Sequence, residues 1–510
     1  MLFLHCRHWL RARWDVVLVC LTFFIGIAAS NSSKVLLLKS PPNFTYWFDQ
    51  GQYLKSATAF IHGNLAAGEH WYPLLYPLFL ALFSWLPPLL TALIPDFLCY
   101  LATYVAYREV VQRFGVSRHT AVILFLPATI VYYQTGDAWL QPWTTTLSAA
   151  LIWSALALGG RILDLADEAR LSSKTYVLLG FILGAIPLCR PADVVVSGMI
   201  GLCLIYAMLG RRRLWSDFAT VLLSCLIVGC AGLILHFVIY GPHLSDYMKL
   251  SAAYGTNFRW LGWKAYIILV EPLPWYPFGQ GLLKILPWLP LGAAGLLVNV
   301  ANVEKRAQAL LLLLPVLAYL TVMLAYIDLL PSGLWRYSNF HYFKWMLPLF
   351  AAFGWIFIRD FSRGRAVSVV AFFTVFLPSS LHIMPVMAQP NELARMVTFP
   401  DVPAPFADVY FARSVLQDRQ GSLLGGFDYH QVPDDHRLVR AEALRRDFAG
   451  DELWIHPGDG VKWPEPISNT EKIPVLPGLF PKVPIVRYKP DVTIGWPCWL
   501  PPYGCRKRLP

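Results

Sequence analysis

Long apolar runs, separated by short polar loops, make up most of the chain before residue 385. Most runs are roughly 17–25 residues long, the length that an α-helix needs to cross the hydrocarbon core of a bilayer. The pattern therefore predicts about 11 transmembrane helices. Their approximate bounds are 15–38, 88–107, 120–134, 140–158, 175–189, 192–209, 216–240, 284–300, 308–329, 341–358 and 366–384.

Composition points to the same class of protein. Of the 510 residues, 56% are hydrophobic and only 14% are charged, so a soluble fold could not cover its surface with polar groups. The net charge of +11 comes mostly from short loops, where basic residues set membrane topology. We therefore expect an α-helical polytopic membrane protein that contacts membrane lipids and has no nucleic-acid partner.

The first apolar run has two interpretations. Arg7, Arg11 and Arg13 precede it, and Ala28 and Ala29 are small enough for the cleavage site of a signal peptide. The apolar character resumes after these residues in "VLLL", which favours a retained first helix.

The loops alternate in positive charge. Every second loop is short and carries two or three basic residues, so the positive-inside bias makes this set cytoplasmic. An odd number of spans then puts residues 385–510 on the other side, together with the loop 39–87 and the segments "QTGDAWLQPW", "CRPAD" and "PSGLWRYSNFHYFKW". The basic loops lie near 7–13, 108–118, 161–174, 211–213, 305–306 and 359–365.

Residues 385–510 differ in composition from the rest. They are rich in Pro, Trp, Asp and Arg and contain no long apolar run, which predicts a small soluble C-terminal domain that is β-rich or irregular. Cys498 and Cys505 near its end suggest a local disulfide in an oxidising compartment, the alternative being two free thiols.

The stretch "YWFDQGQYLKSATAFIHGNL" follows the first run. Asp49 and Gln52 have the spacing of a capping box, and Gly63 can end the amphipathic helix that they would start. In this interpretation Asp49 only begins a helix that lies on the membrane. A capping carboxylate is stabilised as the anion, which would make it a poorer base.

The order of motifs after Asp49 suggests a chemical role instead. Tyr53 and Gly63 are followed by "YPLLYP", then by "LCRPADVVV" and "RYSNFHYFKWMLPLFAAF". Over roughly residues 10–385 this order resembles the GT-C superfamily of membrane glycosyltransferases, which includes protein mannosyltransferases and aminoarabinose transferases. The resemblance implies a GT-C type transmembrane domain at 1–384, with amphipathic helices in an external loop at 39–87.

The resemblance also implies a polyprenyl-phosphate-linked sugar donor and a glycan, lipid or protein acceptor. Asp49 would take the proton of the acceptor hydroxyl, and Asp137 would orient the acceptor or share that role. Tyr53 and Tyr72 would contact substrate. Cations would hold the leaving phosphate; the candidates are Lys344, His341, Arg336, Arg259 and Arg190. Snorkelling is the alternative for Lys344, and pairing with Asp193 the alternative for Arg190.

The sequence is compatible with several alternatives. Many relatives carry a second acid after the first, where this chain has Gln50, and no zinc-ligand spacing is present. No cofactor is therefore firmly implied, although a divalent cation is possible. A transporter or flippase, a glycan ligase and a non-catalytic scaffold are competing classes. We favour a bacterial inner membrane with a periplasmic active face, while two sequons at Asn31 and Asn43 permit an endoplasmic reticulum setting.

Overall fold

The computed structural model describes the helical part of the chain with gaps, and four short strands beyond it. The described residues are 13–29, 48–131, 138–165, 171–208, 215–254, 256, 258, 261–270, 281–326, 329, 339–362 and 365–381, with the strands at 408–412, 452–456, 470–472 and 484–487.

Helices dominate these residues. In chain order they are α1 (Trp14–Ala29), α2 (Phe48–Ile61), α3 (Leu75–Ala81), α4 (Pro88–Gln112), α5 (Arg118–Leu126), α6 (Thr144–Leu163), α7 (Ser173–Cys189), α8 (Val194–Met208), α9 (Trp215–Tyr240), α10 (Asp246–Tyr254), α11 (Leu261–Leu269), α12 (Leu282–Ile285), α13 (Leu289–Ala301), α14 (Arg306–Ala325), α15 (Leu347–Phe361) and α16 (Ala366–Leu381). Short 3-10 segments occupy Ala67–Glu69, Pro191–Asp193 and Asn339–Tyr342, and a π-helical turn, Pro127–Val131, continues α5.

Each predicted apolar run overlaps one of these helices, so the chain is a multi-pass α-helical membrane protein. Four helices of the described chain are both long and apolar enough to cross a bilayer, namely Leu90–Gln112, Thr144–Leu163, Ser216–Tyr240 and Arg306–Ala325. Shorter apolar helices, such as Ser173–Cys189, lie between them. The count of about 11 spans therefore stays a prediction.

Glycines let two pairs of helices pack backbone to backbone. A methyl group at Gly180 of α7 would lie 2.2 Å from the carbonyl oxygen of Val221 in α9. In the same way, a methyl group at Gly295 of α13 would lie 2.1 Å from the carbonyl oxygen of Phe353 in α15. Small residues at such contacts allow the close approach on which helix association in membranes depends.

Ion pairs join the loops that were predicted to be cytoplasmic. Asp15, at the start of α1, is fully buried and accepts hydrogen bonds from Arg108 and Arg118. Arg113, at the end of α4, donates to Asp164 after α6 at 2.7 Å. The basic residues of these loops therefore contact acids at the same end of the helices.

The chain forms two compact units. The first comprises Met1–Ala253, Leu286–Leu320 and Phe340–His382, and the second comprises Tyr254–Ile285, Thr321–Asn339 and Ile383–Pro510. In the second unit, strands β1 (Asp408–Ala412), β2 (Glu452–His456), β3 (Thr470–Lys472) and β4 (Pro484–Arg487) form an antiparallel sheet in the order β1-β2-β4-β3. That residues 385–510 are a separate soluble domain stays a prediction.

Candidate functional site

Helix α2 carries the acid that sequence analysis singled out. It begins at Phe48, so Asp49 is its second residue and not the N-cap that a capping box requires. The predicted end of the helix is confirmed, because Gly63 adopts a φ of 65°. Its amide donates to the carbonyl of Phe60 at 3.1 Å and the next amide, of Asn64, donates to Ala59 at 2.9 Å, a Schellman motif.

Asp49 is half-buried and accepts a hydrogen bond at Oδ1 from the Tyr72 hydroxyl, at 2.5 Å. Burial raises the pKa of the Asp49 carboxyl, and the bond from Tyr72 offsets only part of that rise. Burial also raises the pKa of the Tyr72 phenol, which keeps it protonated and able to donate. Asp49 is therefore easier to protonate than an exposed aspartate, as a general base operating near neutral pH needs to be.

Aromatic rings surround this carboxyl group. The Tyr72 ring lies 4.8 Å from the ring of Tyr53, one turn along α2, and 4.8 Å from that of Tyr247 in α10. Tyr53 in turn meets Tyr76 edge to face at 5.2 Å. The two predicted substrate-contacting tyrosines, Tyr53 and Tyr72, are thus neighbours of Asp49. Their contact with a substrate stays a prediction.

A second acid, which sequence analysis missed, lies behind this stack. Asp96 of α4 is 2% exposed and accepts bonds from the Tyr76 hydroxyl at 2.9 and 3.1 Å. The signal that could have found it is an ionisable residue inside an apolar run, since such residues are rare and usually functional.

Lys344 reaches across to the segment before α6. It is fully buried, and its ammonium group donates to the carbonyl of Ala138 at 2.7 Å and to the hydroxyl of Thr146 at 2.6 Å. The ring of Trp139 lies 4.8 Å from the ammonium nitrogen, within range of a cation–π contact. Lys344 and Asp96 also attract each other electrostatically. In this arrangement Lys344 holds the 138–146 segment, and its predicted contact with phosphate stays a prediction.

His341 and Arg190 lie close to the same segment. His341 stacks on Trp143, with ring centroids 3.9 Å apart, and its Nδ1 lies 2.9 Å from the Thr145 hydroxyl. Arg190 pairs with Asp193 at 3.3 Å and donates to the hydroxyl of Tyr319 at 3.0 Å. The pairing that sequence analysis gave as the alternative for Arg190 is therefore present.

Residues that are far apart in the chain share a neighbour in the structure, because Tyr247 interacts electrostatically with both Asp49 and Arg190. Asp49, Tyr53 and Tyr72 come from the first loop, while Arg190, His341 and Lys344 come from later ones. The other predicted site residues lie outside the described residues: Asp137, Arg259, Arg336, Cys498 and Cys505. Within the described part, no group of three or more His, Cys, Asp or Glu side chains lies close enough to hold a metal ion.

No family model matches the chain, and no curated protein matches it. Among solved structures, the chain is similar to the crystal structure of ArnT from Cupriavidus metallidurans bound to undecaprenyl phosphate, with a TM-score of 0.46 and 16% identity. The match covers 71% of this chain and 62% of the ArnT chain, less than two thirds of its length.

Proposed function

We propose that this chain is a membrane glycosyltransferase that moves a single sugar from a polyprenyl-phosphate donor to a hydroxyl of an envelope glycan, lipid or protein. The observation that carries the proposal is the half-buried Asp49 carboxyl, which has a raised pKa and is oriented by Tyr72. Three buried basic side chains lie in loops that the sequence assigns to the same face of the membrane as Asp49, namely Arg190, His341 and Lys344.

In the proposed reaction Asp49 acts as the general base. Tyr72 donates to Oδ1 and fixes the carboxyl group, and we assign Oδ2 to the proton of the acceptor hydroxyl. The acceptor oxygen then forms a bond to the anomeric carbon while the bond from that carbon to the phosphate oxygen breaks. The electron pair of the broken bond leaves with the polyprenyl phosphate, whose negative charge increases.

Buried cations would stabilise that charge. Arg190 uses Nη1 for both of its described bonds, to Asp193 and Tyr319, and we assign its other N–H groups to phosphate oxygens. Lys344 would act through its charge and by holding the 138–146 segment, with His341 beside it. Arg259 and Arg336 remain further candidates from the sequence. The acceptor-orienting role of Asp137 also rests on the sequence alone.

The arginine distribution supports the location that we propose, a bacterial inner membrane with the active face and residues 385–510 in the periplasm. A lipid-linked donor suits that face, because it replaces nucleotide sugars where no nucleotide pool exists. Cys498 and Cys505 would form a disulfide there.

A flippase for a lipid-linked sugar is the second candidate, and Asp96 is the observation that favours it. Transporters place ionisable groups within the membrane, and Asp96 lies in the apolar helix α4. A glycan ligase of related architecture remains an alternative within the transferases.

The test is a transfer assay with the full chain in proteoliposomes. We would supply a panel of polyprenyl-phosphate hexoses and pentoses, add envelope lipids and glycans from cells lacking the gene, and follow both by mass spectrometry. The proposal predicts acceptors that are heavier by one sugar residue, together with free polyprenyl phosphate. Movement of the donor between leaflets, with no sugar transferred, would instead identify a flippase.

A further inference from the structure

Gln50, the residue next to Asp49, has a buried side chain with only one of its two polar atoms paired. Its side chain is 1% exposed, and its Nε2 donates to the carbonyl oxygen of Pro142 at 3.0 Å. The amide orientation is fixed by this bond, because only the NH₂ group can donate to a carbonyl. The bond ties α2 to the segment before α6.

The other atom of this amide, Oε1, has no hydrogen-bond partner among the residues that the structure describes. Buried polar atoms in proteins are normally paired, since an unpaired one loses its bond to water without replacement. An acceptor left unpaired one residue from a proposed base therefore calls for a ligand that supplies the donor.

Three more buried polar atoms without described partners lie on the segment that Gln50 contacts. They are Oε1 of Gln141 and the indole Nε1 of Trp143, on either side of Pro142, and the indole Nε1 of Trp139. Two acceptors and two donors without described partners thus lie on Gln50 and on the segment that it contacts. A polyhydroxylated ring is the ligand class that satisfies such a mixture, because every hydroxyl both donates and accepts.

We propose that Gln50 recognises a sugar hydroxyl, its Oε1 accepting the hydroxyl proton while Nε2 holds the amide on Pro142. The inference rests on the proposed function and adds a specificity-determining residue to it. The hydroxyl belongs either to the donor sugar or to the acceptor, and the recognition chemistry is the same for both.

The experiment removes one hydroxyl at a time and compares Gln50→Met with the wild type. The donor is the one that supports transfer in the panel assay. We would measure kcat/KM with deoxy analogues of this donor and of the acceptor. The wild type should lose about 10-fold at one deoxy position. With the unmodified donor and acceptor, the kcat/KM of Gln50→Met should be lower than that of the wild type by a similar factor. Replacing the substrate by that deoxy analogue should then lower the kcat/KM of Gln50→Met no further. The substrate that carries the position identifies the source of the hydroxyl.

Gln52→Met is the matched control, because it is the same exchange on the same helix at a half-buried position. It should keep the wild-type deoxy profile. A Gln50→Met variant that is slower with every substrate by one common factor would show a purely structural role and overturn the inference. A wild type that transfers no sugar would refute the proposed function instead, so the two failures are distinguishable.

Melting of the full chain in detergent provides a second measurement without substrate. Gln50→Met removes the unpaired Oε1 but leaves the Pro142 carbonyl without its donor, so one unpaired acceptor replaces another. We expect a Tm within about 2 °C of the wild type. A larger fall would mean that Oε1 already has a partner within the protein, which would overturn the inference.

Discussion

At the scale of single residues, two effects act on Asp49 in opposite directions. Burial favours the protonated carboxyl, while the bond from Tyr72 favours the anion, and burial prevails. When the pKa of an aspartate is higher in the folded than in the unfolded protein, ionisation costs more in the folded state. The free energy of unfolding therefore falls as pH rises through the folded-state pKa. The base that the proposed reaction needs therefore reduces the stability of the protein at neutral pH.

Asp49→Asn tests this description directly. Asn keeps an oxygen that accepts from Tyr72 but cannot take a proton, so the rate of transfer should fall about 10²- to 10⁴-fold. Its Tm at pH 7 should equal or exceed that of the wild type, since the unfavourable charge is gone. Asp246→Asn, a change at an exposed acid paired with Lys249, should alter neither quantity. Near-normal turnover by Asp49→Asn would refute the base assignment.

Tyr72→Phe should change the pH dependence. Asp49 is active when deprotonated, so kcat/KM should fall as pH drops through its raised pKa. Removing the Tyr72 bond takes away the effect that lowers this pKa, so the acidic limb should move to higher pH. Tyr247→Phe keeps a ring beside Tyr72 and should leave the limb in place. If the acidic limb of the pH profile does not move in Tyr72→Phe, that limb reports the ionisation of another group and not of Asp49.

Sequence patterns revealed some of these residues and not others, for a physical reason. Asp49 stands in an ordered series of local motifs, so its place could be predicted. Asp96 accepts a hydrogen bond from Tyr76 and interacts electrostatically with Lys344. Only folding brings these side chains to it, so the sequence does not reveal the contacts. The same holds for the tie between Gln50 and Pro142, which lie 92 residues apart in sequence.

At the scale of elements, apolar length predicted where helices occur but not where they end. The run predicted to end at 107 continues to Gln112, and the run predicted to end at 158 continues to Leu163. Glu109 and Arg161 lie in these extra turns and pair at 2.6 Å, which stabilises helix beyond the apolar region. In contrast, the run predicted from 341 becomes α-helical only at Leu347, next to Pro348, which favours a first turn.

The contact between α7 and α9 gives a prediction at this scale. Replacing Gly by Ala inside a helix normally adds stability, by about 1 kcal/mol. At Gly180 the new methyl group would collide with the backbone of Val221, so Gly180→Ala should lower stability, by about 1–3 kcal/mol. Gly198→Ala in α8 is the matched control, because nothing lies within 4 Å of its Cβ position. Tm values in detergent should show opposite signs; an equal effect of both changes would contradict the packing.

At the scale of the whole molecule, two groups of contacts occupy different places in the first compact unit. Arginines and their acid partners join the basic loops, including Asp15 with Arg108 and Arg113 with Asp164. The Asp49 loop, the 138–146 segment and Lys344 meet elsewhere in that unit. Alternation of loop charge predicts that the basic loops share one side of the membrane, because the positive-inside bias acts on whole loops, and that assignment stays a prediction. It could not predict the individual contacts, which depend on side-chain geometry.

Thiol labelling of two exposed positions tests the orientation in the membrane. His62 follows α2 on the side that we assign to the periplasm, and Glu304 adjoins the basic loop between α13 and α14. In intact cells a membrane-impermeant maleimide admitted to the periplasm should label His62→Cys. Glu304→Cys should be labelled only after the inner membrane is permeabilised. The wild type, with its native cysteines, sets the background. The reverse pattern would invert the topology and place Asp49 on the cytoplasmic side, where the proposed lipid-linked donor would compete with nucleotide sugars.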